Sequence, residues 1–342
     1  MTTTHTDKNT RDSNMELLRI VAMLLVMVVH ANFRALPKPN AAAIAVYPSS
    51  AFLQFLTEGF SIVAIDVFVM LSGWYGIRLR LSRLQELLFQ IIFFSLLCTG
   101  VFYLVEGHWP YHAIKSLLML DQSDYWFVKC YLGMYLVAPV LNAFVESATR
   151  RQFELLLIAF FGFQFVFDWL FNSTTWLLSG YSMPSFCILY LLARYLRVYH
   201  PRLTQFRQHT DLLIYLGVVA FLTIVVFVLR WRFNIGGIFY FYNCPFVILG
   251  ATYLLLFFSK LKFKSRAVNW VAISSLAIYL THSNTHLATY YDGTIRQWFY
   301  GESRPAFLLY ATLLIIGVFT ASILIDKVRL GLWNLIRTIT HL

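Results

Sequence analysis

Charge is scarce in this sequence. Only 13% of its 342 residues are Asp, Glu, Lys or Arg, against 59% hydrophobic, where a soluble domain carries about a quarter charged residues. That shortage excludes an ordinary soluble fold and points to a polytopic membrane protein. Cysteine is also rare: Cys98, Cys130, Cys187 and Cys244 each lie inside an apolar segment, without the paired spacing of a zinc site or a soluble domain to staple. They read as small core residues, and no metal is expected. No internal repeat and no Gly/Ser linker divides the chain. Its apolar runs lack the ten-residue alternation of a transmembrane barrel, which leaves helices to satisfy the backbone in lipid. The net charge of +11 is scattered between apolar runs, which fits membrane orientation and excludes a nucleic-acid surface.

What is present is a series of apolar segments, each near the roughly 20 residues a helix needs to cross a bilayer. Ten are placed near 15 to 33, 52 to 76, 84 to 105, 126 to 145, 152 to 171, 183 to 199, 212 to 230, 235 to 258, 268 to 290 and 306 to 326. The expected fold is an all-α polytopic membrane helix bundle. Residues 1–14 form a tail, 15–330 one membrane domain, and 331–342 a second tail. The first apolar segment lacks a small-residue cleavage site before its polar flank, so it is expected to be a retained span. Of the Lys and Arg residues, Arg34, Lys38, Lys115, Arg230, Arg232, Arg296 and Arg304 fall on one side; all others but Arg19 and Lys129, which lie within spans, fall opposite. The positive-inside rule then makes both termini cytoplasmic. The stretch "IKSLLML" in the loop after the third span is short enough to dip into the interface or cover a site.

A charged side chain at mid-membrane costs roughly 2.5 to 3.5 kcal/mol on insertion scales, so it needs a partner or a purpose. The first span, "MELLRIVAMLLVMVVHANF", holds Arg19 and His30 eleven residues apart, about 16 Å along a helix and close to three full turns. Both side chains therefore share one face, aimed at a cavity. Arg19 alone also reads as a snorkelling anchor, and His30 alone as an interhelical hydrogen bond. The second span places Asp66 at a depth near His30, where it pairs with Arg19, orients His30, or clamps two helices. Ser72-Gly73 reads as a close-packing pair. In the ninth span Tyr279 and His282 share a helical face, with His282 and His286 alternatively sitting at the outer interface. Trp126 opens the fourth span at the aromatic belt, and Lys129 snorkels outward. Arg78, Arg80 and Arg83 follow the second span; if the third helix has begun, Arg80 and Arg83 share a face that suits a phosphate-bearing ligand. "KLKFKSR" from Lys260 reads as a topological anchor.

In order and spacing these residues resemble acyltransferase family 3 of integral membrane proteins. Arg19 and His30 resemble its opening motif. Asp66, Phe68, Ser72 and Gly73 of "IDVFVMLSGWY" resemble its second-span motif, and Trp126 and Pro139 its fourth span. The resemblance implies transfer of an acyl group, usually acetyl, from cytoplasmic acyl-CoA to a hydroxyl of a surface carbohydrate or lipid-linked sugar, in a bacterial inner membrane, with no permanently bound cofactor. His30 would act as general base or acyl carrier, with Arg19 and Asp66 in the catalytic group. Arg78, Arg80, Arg83 and Ser72 would hold acetyl-CoA. Trp126, Tyr279 and His282 would lie nearer the acceptor. The rival class is a transporter or flippase for a polar or glycan-bearing substrate, which inverted repeats with broken helices would favour; neither is visible in the sequence. Oligomeric state and the identity of the acceptor are left open.

Overall fold

Residues 11–110, 114–115 and 125–340 are described by the computed structural model; beyond Lys115, the stretch expected to dip into the interface lies outside them. The architecture is all-α, with no strand among the described residues. Helix α1 (Ser13–Val29) passes into a π-helical turn, His30–Arg34. After α2 (Ala41–Val46) come α3 (Pro48–Ser61) and α4 (Ala64–Tyr75), then α5 (Leu81–Glu106). Next are α6 (Trp126–Ser147), α7 (Arg150–Phe163) with a π-helical end Gln164–Leu170, α8 (Met183–Tyr199), α9 (Gln208–Phe233) and α10 (Pro245–Ser259). The chain closes with α11 (Arg266–Ala272), α12 (Ser275–His282), α13 (Thr285–Gly301) and α14 (Arg304–Thr340).

Among the described residues, eight helical segments are long and apolar enough to cross a membrane. The expected sixth span is the 17-residue α8, which carries Arg194 and Arg197 near its end. The expected ninth is divided among α11, α12 and α13. Polar residues mark its breaks: Ser274 lies at the first, and at the second the Asn284 side chain accepts from the His286 backbone N–H at 3.0 Å and restarts the helix. The second expected span is likewise interrupted between Ser61 and Ala64. Broken helices, which the sequence did not reveal, are thus a feature of this fold. The last helix, α14, has 37 residues, about 55 Å of helix against a hydrocarbon thickness of about 30 Å, and it continues through residues 331–340, where a tail was expected.

Close packing holds the interior. Gly73 of α4 lies so near α8 that an added methyl would collide with the Tyr190 carbonyl oxygen, so Gly73 acts in close packing. The Tyr190 hydroxyl accepts from the Ile77 backbone N–H at 2.9 Å and donates to Asn142 at 2.6 Å, fixing the chain beyond α4. Cys98 and Cys244 are buried, Cys130 and Cys187 half-buried, and all four are free thiols. Two buried carboxylates are paired with cations: Asp211 of α9 with Lys260 just after α10, and Asp326 with Arg329 within α14 at 2.8 Å.

Candidate active site

The π-helical turn at His30 widens α1 by one residue per turn, a distortion found often at functional positions. It presents His30 to the end of α12. His30 Nδ1 lies 2.9 Å from His282 Nε2 and 3.3 Å from Ser283 Oγ. His282 Nδ1 in turn meets the Ile278 carbonyl oxygen, one helical turn back. The two rings differ in access: His282 is 2% exposed, whereas His30 is half-buried. His30 is therefore the more accessible of the two.

Arg34 follows His30 by four residues in the same π-helical turn and closes the cluster. Its Nε donates to Asp292 Oδ2 at 2.9 Å and its Nη2 to Oδ1 at 2.8 Å, a two-pronged pair. Nη2 also lies 3.4 Å from the His282 carbonyl oxygen, where the C-terminal end of α12 favours a cation. One guanidinium thus ties α1, α12 and α13 around the imidazole pair. Next to it, Asn32 Nδ2 donates to the buried Glu58 carboxylate at 3.0 Å and to the Gln54 carbonyl at 2.9 Å.

Aromatic rings wall the site on the α6 side. Tyr279 meets His282 edge-on, with ring centres 6.2 Å apart, and packs against Phe127 at 5.4 Å. The Tyr125 hydroxyl donates to the Leu280 carbonyl at 2.6 Å and accepts from Asn284 Nδ2 at 2.8 Å. Trp126 stacks on Tyr242 at 5.9 Å and leans on Tyr181 at 4.7 Å. A cleft of about 330 Å³ reaches His282 from the other side, between α5, α13 and α14, lined by Val101, Thr281, Tyr290, Tyr291 and Leu314 among others. Among the described residues no group of three His, Cys, Asp or Glu side chains stands together in a way that would hold a metal ion.

At the opposite end of α1 a second cleft, of about 520 Å³, is lined by Arg11, Asp12, Asn14, Arg197, Lys262 and Lys264. From it a charged row leads into the bundle: Arg11 to Glu16 at 3.8 Å, then Glu16 to Arg19 at 2.8 Å.

A profile of the acyltransferase domain, Acyl_transf_3, matches residues 12–327, nearly the whole chain. The chain belongs to acyltransferase family 3. It is accordingly a multi-pass membrane acyltransferase. No curated protein and no solved structure matches it.

Within this acyltransferase the residues singled out in the sequence fall into separate places. His30, His282 and Tyr279 come together. Arg19 does not join them; it is one partner of a pair with Glu16, about three turns away along α1. Asp66 is fully buried on the first turn of α4, and neither of its oxygens has a hydrogen-bond partner among the described residues. It forms no ion pair with Arg19, whose partner is Glu16, and no hydrogen bond to His30, whose Nδ1 faces His282 and Ser283. Ser72 shares a 3.0 Å hydrogen bond with the Tyr131 hydroxyl. Arg80 is the residue preceding α5, with extended backbone, so it does not share a helical face with Arg83, which pairs with Glu86 at 3.0 Å. Arg78 is exposed. Trp126 anchors the aromatic wall.

Arg34, Ser283 and Asp292 were not foreseen. Arg34 was assigned to an outer loop by its charge, although its four-residue spacing from His30 was a usable signal of a shared face. Nothing in the sequence marked Asp292 as its partner, since the contact joins residues 258 apart.

Proposed function

We propose that this acyltransferase moves an acetyl group from acetyl-CoA to a hydroxyl of a surface carbohydrate or lipid-linked sugar, with His30 as the general base, in a bacterial inner membrane with both chain termini cytoplasmic. The observation that carries this reading is the imidazole pair: one ring nearly buried and anchored, the other more accessible, with no hydrogen bond to its Nε2 among the described residues. A neutral imidazole held in this way takes a proton from an attacking hydroxyl, a task that contributes about 10² to 10⁴-fold in rate.

The basic cleft at the start of α1 supports a donor bearing several phosphates. Arg11, Arg197, Lys262 and Lys264 converge on it, and Arg197 lies 4.9 Å over the Trp74 ring at the end of α4, close in sequence to Arg78 and Arg80. This extends the donor site from the three arginines to a concave surface, and it gives Lys262 and Lys264 a role beyond anchoring. Arg19, next along the charged row, would meet the donor's phosphate or carbonyl oxygens, where a guanidinium offsets developing negative charge. Trp126, with Tyr181 and Tyr242 beside it, supports a carbohydrate acceptor, since sugar rings lie flat on aromatic faces.

Interrupted helices also suit a transporter. Here the break after His282 positions the imidazole pair, so acyl transfer accounts for it without substrate passage.

The test uses purified protein in detergent with radiolabelled acetyl-CoA and a panel of glycan and lipid-linked sugar acceptors. Free CoA thiol should appear together with an acetylated acceptor, and His30→Ala should stop both while leaving the thermal transition in place. Turnover that survives His30→Ala removes the base. Vectorial movement of a glycan lipid in vesicles without CoA release would establish the transporter instead.

A further inference from the structure

We propose that His282 is a positioning residue that fixes the tautomer of His30, holding a proton on His30 Nδ1 so that Nε2 is the basic nitrogen. The inference rests on the reading of His30 as a base, but the argument begins from a carbonyl group. The Ile278 carbonyl oxygen can only accept a hydrogen bond, so His282 Nδ1, which lies against it, must carry a hydrogen. In a neutral ring the other nitrogen, His282 Nε2, is then a lone pair. That lone pair faces His30 Nδ1 at 2.9 Å, and two lone pairs at that distance repel, so His30 Nδ1 is the donor. Ser283 Oγ at 3.3 Å is a second acceptor for the same hydrogen. By elimination His30 Nε2 is bare, and it is the nitrogen on the accessible ring with no hydrogen-bond partner among the described residues.

A doubly protonated His282 would reverse the sense of the pair. It would place a second cation beside Arg34, inside a site where the adjacent Asp292 carboxylate is already engaged by both prongs of that guanidinium, and no carboxylate is hydrogen-bonded to either ring among the described residues. The relay Ile278 carbonyl, His282, His30 therefore runs with its hydrogens pointing away from the substrate. In the transfer step the acceptor hydroxyl gives its proton to His30 Nε2 as its oxygen bonds to the thioester carbonyl carbon. The carbon–sulfur bond then breaks, and the departing thiolate takes that proton to leave as free CoA. Throughout, Nδ1 keeps its hydrogen on His282 Nε2, which stabilises the transient imidazolium.

The experiment combines ¹⁵N-histidine NMR of the full-length protein in detergent with steady-state acetyl transfer, for the wild type, His282→Gln and His282→Met, with His30→Gln used to assign the signals. Glutamine offers an acceptor oxygen near the position of Nε2; methionine offers none. The wild type should show His30 with a protonated Nδ1 and a bare Nε2. His282→Met should shift His30 toward the opposite tautomer and lower kcat about 10²-fold or more with KM little changed, while His282→Gln should recover both in proportion. A wild-type His30 protonated at Nε2 overturns the proposal, as does a folded His282→Met protein that keeps both tautomer and kcat. Because the NMR readout needs no turnover, a protein with the stated tautomers and no acyl transfer would sink the function and leave the relay standing.

Discussion

The His30–His282 cluster and the Gln90–Asp326–Arg329 cluster both set ionisable side chains among packed helices, yet only the first, among the described residues, leaves a ring nitrogen unengaged on a partly exposed side chain. In the second, Gln90 Nε2 donates to Asp326 Oδ1 at 3.1 Å and Arg329 Nε donates to the same oxygen at 2.8 Å. Asp326 and Arg329 are 0% and 1% exposed. That cluster joins α5 to α14 and has no opening. The lesson is that polarity within the membrane does not separate structural from chemical residues; access to one unengaged atom does.

The sharpest way to test this division is to delete one member from each side. His30→Ala should lower kcat about 10² to 10⁴-fold and leave the melting temperature in detergent nearly unchanged, because the ring is only half-buried and His282 retains its bond to the Ile278 carbonyl. Stopped-flow thiol detection and a thermal scan on one preparation give both numbers. A large loss of stability would place His30 with the structural cluster.

Arg329→Met should do the reverse. Breaking a buried ion pair from one side leaves an uncompensated charge, a loss of about 3 to 5 kcal/mol, read as a lower melting temperature and poorer yield. Asp326→Leu combined with Arg329→Met should recover most of it, since a buried pair can be exchanged for apolar packing at little cost. Transfer rates per folded molecule should stay near wild type in the double variant; an inactive but stable double variant would break the comparison.

How far these clusters were readable beforehand differs in the same way. The all-helical membrane fold was legible, and His30 stood out, because an apolar run interrupted by an imidazole is a local pattern. Arg34 and Arg329 were both counted only as charges flanking span ends, since that is what orientation alone produces; only the fold shows that Asp292 and Asp326 hold them. Asp66 was expected to pair with Arg19, orient His30 or clamp two helices, and its oxygens meet no hydrogen-bond partner among the described residues, a contact pattern that depends on long-range packing and that no local spacing encodes. Arg80 missed the face of Arg83 because α5 starts one residue later, at Leu81.

Arg34 sits between the two extremes, an ion pair partly exposed at 29% and 19% of its side chains that also braces the end of α12 at the His282 carbonyl. Arg34→Lys keeps the charge but loses the two-pronged geometry. About tenfold in kcat is expected, with a smaller loss of stability. A double-mutant cycle with Asp292→Asn should give a coupling of about 0.5 to 3 kcal/mol in the transfer rate. Additive losses would mean that Arg34 acts on the site without Asp292.

The smallest effects belong to the basic cleft, where the comparison is between charges that converge and charges that are already paired. Exposed charge contacts contribute about 0.2 to 1 kcal/mol each, so removing two of them, with Lys262→Gln and Lys264→Gln, should raise the KM for acetyl-CoA about fivefold at low salt while kcat holds. The shift should shrink at about 0.5 M salt, where the Debye length falls well below 8 Å. Arg83→Gln should move KM less, because that guanidinium is 65% exposed and already faces Glu86, so its charge is partly cancelled before any phosphate arrives. An Arg83 effect larger than that of the two lysines would return the donor's phosphates to the start of α5 and leave the cleft to the membrane's anionic headgroups.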